Sequence, residues 1–250
     1  VSRFVLSLVC CCLLNLQACA GPPLSTGHQI DRESDIIIGD MDAKNELILY
    51  LSPGDGQSLS FYLNHYKSIK ELYVDKNRLR VVIREVPYIV RQGTNTEDPV
   101  RRYEEAQVYS GMLGIHLRCA YHYHGIEAYE ITWQTIGVSV AKSAVRQGDV
   151  SWPYFDREAM QAVFVSMGQE AQMTREEYAS CDKKPKKEKF AFQFARHQDI
   201  LEDVSERNLL PVPAAFFNGE QIEMTRRNKY NELMLVLKEN LDPEYALSRN

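Results

Sequence analysis

The chain has 250 residues, 44% of them hydrophobic and 25% charged, with 13 glycines and 10 prolines scattered along it; this excludes a disordered, collagen-like or low-complexity protein. The 29 basic and 34 acidic residues leave a net charge of −5, the wrong sign for a general nucleic-acid binder, which needs a basic field to displace counterions.

Residues 1–18 hold one charge, Arg3, followed by the apolar run Phe4 to Leu16, too short and too close to the terminus for a spanning helix. The pattern reads as an export signal. Its end, Leu16-Gln17-Ala18-Cys19, resembles the lipobox of bacterial lipoproteins, and the resemblance implies cleavage before Cys19 and a lipid on its sulfur. Ordinary secretory cleavage near Ala18 or Ala20 is the alternative. Residues 19–35, with Gly21, Pro22 and Pro23 and no periodicity, then serve as a tether holding the folded part off a membrane. Cys10, Cys11 and Cys12 leave with the signal. With Cys19 lipidated, Cys119 and Cys181 remain, and two thiols in an oxidising compartment most simply form one disulfide.

Glu46 to Leu51 has the composition of a strand, and Ser52-Pro53-Gly54-Asp55-Gly56 must turn because it stacks one proline and two glycines. Leu59, Tyr62, Leu63, Tyr66 and Ile69 then fall at the spacing of a one-sided helical stripe. Arg80 to Val86 is a second strand, stopped by Pro87, and the connection is long enough for a parallel crossover. From Pro99 to Lys187 the pattern is helical only: Tyr109, Met112, Leu113 and His116 share a stripe, and Asp156 caps a helix carrying Met160, Val163, Phe164 and Met167. Thr174 and Glu177 have capping-box spacing before a short helix ending near Cys181. Phe190, Phe194, His197, Leu201 and Val204 mark a long helix. Ala214 to Phe217, Asn218-Gly219 and Gln221 to Met224 give the strongest hairpin signal, since the Asn-Gly pair accepts the positive φ of a tight turn. Tyr230, Leu233, Met234, Leu237 and Leu241 close the chain with an amphipathic helix.

The order β, α, β, helical block, α, hairpin, α resembles an α/β thioredoxin fold with an inserted helical subdomain, the architecture of the DsbA-like family. Individual segments carry the resemblance. Ile38-Gly39-Asp40-Met41-Asp42-Ala43 is similar to the family's opening segment, and Ile48-Leu49-Tyr50-Leu51-Ser52 to the strand before its active site. Arg84-Glu85-Val86-Pro87 resembles its second-strand ending. Cys119-Ala120, then Gly125, Tyr129 and Glu177-Tyr178-Ala179-Ser180-Cys181, resemble the insertion of members with an extra structural disulfide. Pro213 before Ala214-Ala215-Phe216-Phe217-Asn218-Gly219 is similar to the cis-proline and hairpin. The resemblance implies a thioredoxin-like domain of residues 36–98 and 188–250 and a helical insertion of 99–187.

The active site departs from the family. Redox members place Cys-x-x-Cys at the start of the first helix, and here Ser52 and Phe61 bracket Asp55-Gly56-Gln57-Ser58. Thiol-disulfide exchange needs a thiolate that attacks sulfur and a second that resolves the mixed disulfide. A carboxylate and a hydroxyl do neither. Asp55 and Ser58 suit a helix start instead, where an oxygen accepts an orphan N–H. Ser58 also has a functional reading: kappa-type glutathione transferases, which look like DsbA relatives, use a serine to stabilise a bound thiolate, and Leu51-Ser52-Pro53 is similar to their serine motif. A hydrolase is not indicated, since Gly54-Asp55-Gly56-Gln57-Ser58 is not G-x-S-x-G.

Three other features call for an assignment. Cys119 and Cys181 read as a structural bridge, with a regulatory redox pair as the alternative. His122 and His124 diverge on a helix, so they read as surface or packing residues and no metal is expected. Lys183 to Lys189 reads as a solvated link. The resemblance implies that the loop at Val212 and Pro213 lies against the helix start, where its backbone can pair with an extended peptide. The expectation is therefore an exported DsbA-like lipoprotein without redox chemistry or cofactor. It binds exported polypeptides or envelope assembly proteins, faces the periplasm and meets the membrane through its N-terminal lipid.

Overall fold

The computed structural model describes residues 35–86, 99–147, 157–181, 212–222 and 229–242, together with 199–200, 202, 204–205 and 209. The signal segment, Cys19, the tether before Asp35, Lys183 to Lys189, Phe190, Phe194, His197 and Leu201 lie outside them, as do the side chains of Tyr109, Met160 and Cys181.

Ile36–Ile38 (β1), Glu46–Leu51 (β2), Arg80–Glu85 (β3), Ala214–Phe217 (β4) and Glu220–Ile222 (β5) form one sheet in the order β1-β3-β2-β4-β5. The central pair β2 and β3 is parallel, with Leu47 opposite Val81 and Leu51 opposite Glu85, as the long connection between them requires. β1 adds antiparallel to β3, and β4 adds antiparallel to β2 with Tyr50 opposite Ala214. Leu47, Ile48, Leu49, Tyr50 and Leu51 are all fully buried, as expected of a strand covered on both faces. The hairpin turns at Asn218 and Gly219, both with positive φ. Asn218 also clamps it to β2: its Oδ1 accepts the Glu46 N–H at 2.9 Å and its Nδ2 donates to Asn45 Oδ1 at 3.1 Å.

The crossover from β2 to β3 is one helical run, α1, made of Gly56–Phe61, π-helical Tyr62–Tyr66, Lys67–Ile69 and π-helical Lys70–Val74. The wider π turns rotate the inward face, and Leu63 leaves the expected stripe. It is 38% exposed, while Phe61, Tyr73 and Val74 are buried. Leu63 instead lies over Gly137, where a Cβ would come within 2.5 Å of its Cδ1.

Pro99–Gln147 (α2) is helical except at Gly125, whose φ of 74° breaks it into two arms. Arg157–Glu170 (α3) and Arg175–Cys181 (α4) pack against α2, and Lys229–Leu241 (α5) ends the described chain. The Thr174 and Glu177 capping box forms as expected: the Thr174 N–H donates to Glu177 Oε2 at 2.7 Å and the Glu177 N–H to Thr174 Oγ1 at 3.2 Å. The Thr174 N–H holds the Glu177 carboxyl below its ordinary range, and His124 Nε2 stands 3.1 Å from the same oxygen. Residues 199–200, 202 and 204–205 are helical, with Ile200 and Val204 buried. Among the described residues no helix is long and apolar enough to cross a membrane.

One core joins the sheet to α1, α2, α3 and α5. Within it Tyr66, Tyr62 and Trp133 stack in series at 4.7 Å spacings. Two buried ion pairs flank β3. On Arg84, burial works against the charge, but Asp35 and Tyr50 more than offset it and raise the guanidinium above its ordinary value. Nη2 lies 3.0 Å from Asp35 Oδ2, and Nη1 donates to Tyr50 Oη at 2.7 Å. Asp35, placed in the tether by sequence, is thus 2% exposed and anchored to the sheet. The second pair joins Glu85 Oε2 to Arg118 Nε of α2 at 2.9 Å, and Tyr129 Oη donates to Glu85 Oε1.

Replacing Arg118 by Met leaves the Glu85 charge buried without its cation, and the protein should lose about 3–5 kcal/mol in urea unfolding. Adding Glu85→Gln removes the stranded charge and should recover most of that loss. A single-variant loss below about 1 kcal/mol would show that the pair does not hold α2 to the sheet.

Candidate functional site

The turn from β2 into α1 is built by short-range bonds. The Asp55 N–H donates to the Ser52 carbonyl at 3.1 Å and the Gly54 N–H to Ser52 Oγ at 3.3 Å. Asp55 takes the extended backbone of an N-cap, and its Oδ2 accepts the Ser58 N–H at 2.8 Å. The cap assigned to Asp55 from sequence is therefore present. Ser58 does not cap. It is fully buried, and among the described residues its Oγ meets no hydrogen-bond partner. The physical reason is position: Ser58 is the third residue of the helix, where its own N–H is the group being capped.

The inserted helix closes over this turn. Ser110 of α2 places its Oγ 3.0 Å from Ser52 Oγ. A Cβ on Gly54 would fall 2.5 Å from both Cβ and Oγ of Ser110, so this close approach requires glycine. Ser52, Pro53, Gly54, Asp55 and Ser58 are buried; Gly56 is partly exposed and Gln57 exposed. From α5, Tyr230 Oη donates to the Gln57 carbonyl at 3.1 Å, and its ring stacks on His65 at 4.2 Å and Phe61 at 5.4 Å. Burial and then the Asp55 charge raise Tyr230 above its ordinary value, while burial lowers His65.

The Val212–Pro213 peptide bond is cis. One step beyond Tyr50 and Ala214, the β2–β4 register brings Pro213 level with Leu51, beside the start of the turn. Val212 is 0% exposed and Pro213 is buried, so a peptide pairing there meets a covered backbone. Cys119 is disulfide-bonded and fully buried, with Ile115, Tyr123 and Met173 around it, on the insertion and away from the turn. Its expected partner Cys181 ends α4, which packs on α2. Among the described residues no three His, Cys, Asp or Glu side chains gather as metal ligands.

The mouth of α1 thus offers a carboxylate committed to a backbone N–H and a hydroxyl shut from solvent. No sulfur lies between Ser52 and Ser58, so thiol-disulfide exchange has no nucleophile at this place. Sequence reasoning missed Ser110 and the role of Tyr230 at the site. Each reaches it from a distant part of the chain, and no local pattern marks it.

No protein-family model matches the chain, and no curated protein matches it either. Solved structures do. Oxidised BdbD from Bacillus subtilis aligns over 85% of this chain and 96% of its own at 12% identity, with a TM-score of 0.55. α-DsbA1 from Wolbachia pipientis aligns over 88% and 97% at 13% identity, with a TM-score of 0.53. MdbA from Actinomyces oris, a thiol-disulfide oxidoreductase, aligns over 84% and 85% at 11% identity, with a TM-score of 0.54. The chain has the DsbA-like thioredoxin fold.

The contact between Gly54 and Ser110 gives a test of how the insertion seats on the turn. Gly54→Ala should destabilise the protein by about 1–3 kcal/mol through overpacking. Ser110→Gly in the same chain should restore more than half of the loss. Equal thermal unfolding of Gly54→Ala and wild type would show that α2 does not bear on the turn.

Proposed function

We propose that this chain is an exported DsbA-like lipoprotein that has given up disulfide exchange and serves the cell envelope as a polypeptide-binding or scaffold component. The observation that carries this reading is the mouth of α1, where Asp55 and Ser58 stand in place of a sulfur pair and both are buried. Oxygen at these two positions cannot form or resolve a mixed disulfide. A fold kept without its redox pair retains shape, charge and surface as its working properties.

Two enzymatic readings have less support. A redox pair of Cys119 and Cys181 would need an accessible sulfur, and Cys119 is fully buried and disulfide-bonded. We assign that bridge to Cys181 and a structural role. A kappa-type use of Ser58 would need its hydroxyl to meet the thiolate of glutathione, but Ser58 has no solvent-exposed surface. The apolar run before Cys19 supports export and lipidation, with the following residues as the tether to the membrane. The net charge of −5 favours protein partners over nucleic acid.

Insulin reduction and oxidation of a reduced substrate should both stay at background for wild type and for the Cys119→Ala, Cys181→Ala double variant. The double variant should be less stable by about 2–5 kcal/mol. Turnover in wild type that the double variant lacks would overturn the non-catalytic reading.

Mass spectrometry of the processed N-terminus should find diacylglycerol-modified Cys19 as the first residue. An unmodified Cys19, or cleavage beyond it, would remove the lipid anchor from the proposal.

A further inference from the structure

We infer that the cleft between β5 and α5 takes an extended segment of a partner polypeptide through one lysine or arginine side chain. This rests on the polypeptide-binding part of the reading above and adds the place and the partner's chemistry. The cleft has a volume of ≈ 500 Å³, within the range of small-ligand sites.

Its walls come from two regular elements. In the β4–β5 register Phe217 stands opposite Glu220 and Ala215 opposite Ile222, so Phe217, Glu220 and Ile222 share the sheet face whose apolar members enter the core. Glu232, Val236 and Asn240 recur at four-residue spacing and form one stripe along α5. The floor is therefore apolar, from Phe217, Ile222 and Val236, and the rim carries the carboxylates of Glu220 and Glu232. Neither carboxylate has an ion-pair partner among the described residues.

This combination selects its occupant. An anion is repelled by the rim, and a wholly apolar group would strip water from two carboxylates without replacing it. A lysine or arginine fits both parts, since its stem packs on the apolar floor while its charged head stays at the wet rim. β5 is the last strand of the described sheet, and its outer edge, unpaired within that sheet, offers main-chain groups to an added strand. The cleft opens at the end of β4 away from Pro213, and its Glu232 wall lies two residues beyond Tyr230, which bonds Gln57. β4 starts beside Pro213 and ends at Phe217, and the cleft opens there and at Asn218 of the following turn.

The test uses the full chain, isotope-labelled, titrated with a short blocked peptide of alternating valine and threonine around one lysine. Amide signals of residues 220–222 should shift and saturate. Replacing the lysine by norleucine, or Glu232 by Gln, should weaken binding by roughly two- to five-fold, the range of a partly exposed charge pair. The spectrum of Glu232→Gln itself reports that the fold is kept. Equal affinity for the lysine and norleucine peptides, or for wild type and Glu232→Gln, overturns the assignment. Saturable shifts centred on Gln57 and Val212 instead would leave polypeptide binding standing and remove it from this cleft. The absence of any saturable shift would defeat both.

Discussion

The position of the inserted helices depends on one charge pair withheld from water. Glu85 closes β3 and Arg118 lies in the first arm of α2, both essentially without exposed surface. A buried carboxylate is costly without a cation, and here Arg118 faces one oxygen as an ion pair while Tyr129 donates to the other. Such a pair adds little net stability compared with an apolar replacement, but it tolerates few alternative placements. Glu85 stands opposite Leu51, the last residue before the turn. Ser110 lies eight residues before Arg118, about 12 Å along a helix at 1.5 Å per residue. Pinning Arg118 at the end of β3 therefore sets where Ser110 meets Ser52 and Gly54. The ion pair and the glycine contact act as two points of one attachment, and together they define the cover over the mouth of α1.

What could be read from the sequence was what neighbouring residues decide among themselves. The strand, turn and helix from Glu46 to Ile69, the Asn218-Gly219 hairpin, the Thr174 and Glu177 capping box and the Asp55 cap all depend on groups a few residues apart. The order of these elements was enough to place the chain in its fold. Failures came where distant groups decide. Leu63 fits a regular helical stripe, but the π-helical turns of α1 rotate it outwards over Gly137. Asp35 has the look of a tether residue until Arg84 supplies a buried cation 49 positions later. Arg118 sits between Leu117 and Cys119 with nothing local to show that its charge is buried. Ser58 was legible as a polar residue at a helix start, but its loss of solvent depends on packing that no local pattern reveals.

The oxygen-bearing residues Asp55 and Ser58 at the mouth of α1 are consistent with its burial. A redox site must admit a partner's disulfide to its first thiol, so the helix mouth has to stay reachable. Here the carboxylate of Asp55 is held by the Ser58 N–H, and after burial its charge helps to raise Tyr230 above its ordinary value. The insertion is then free to seat directly on the turn, and the bare Gly54 backbone permits it. The same closure weakens the case for peptide pairing at Val212 and Pro213, which are covered as well.

The two ends of β4 have consequently taken different characters. At its start the cis-proline is buried, and beside it the Ser52 and Ser110 hydroxyls bond each other. At its finish Asn218 uses both side-chain atoms to hold the hairpin against β2, which keeps the last strand fixed in register while its outer edge stays unpaired within the described sheet. A rigid edge is a better template for an added strand than a mobile one, because less ordering entropy is lost when the partner arrives. Glu220 and Glu232 lie beside that edge, and among the described residues no ion pair engages either carboxylate. The edge of the sheet thus keeps main-chain groups and two carboxylates, whereas the start of β4 is covered.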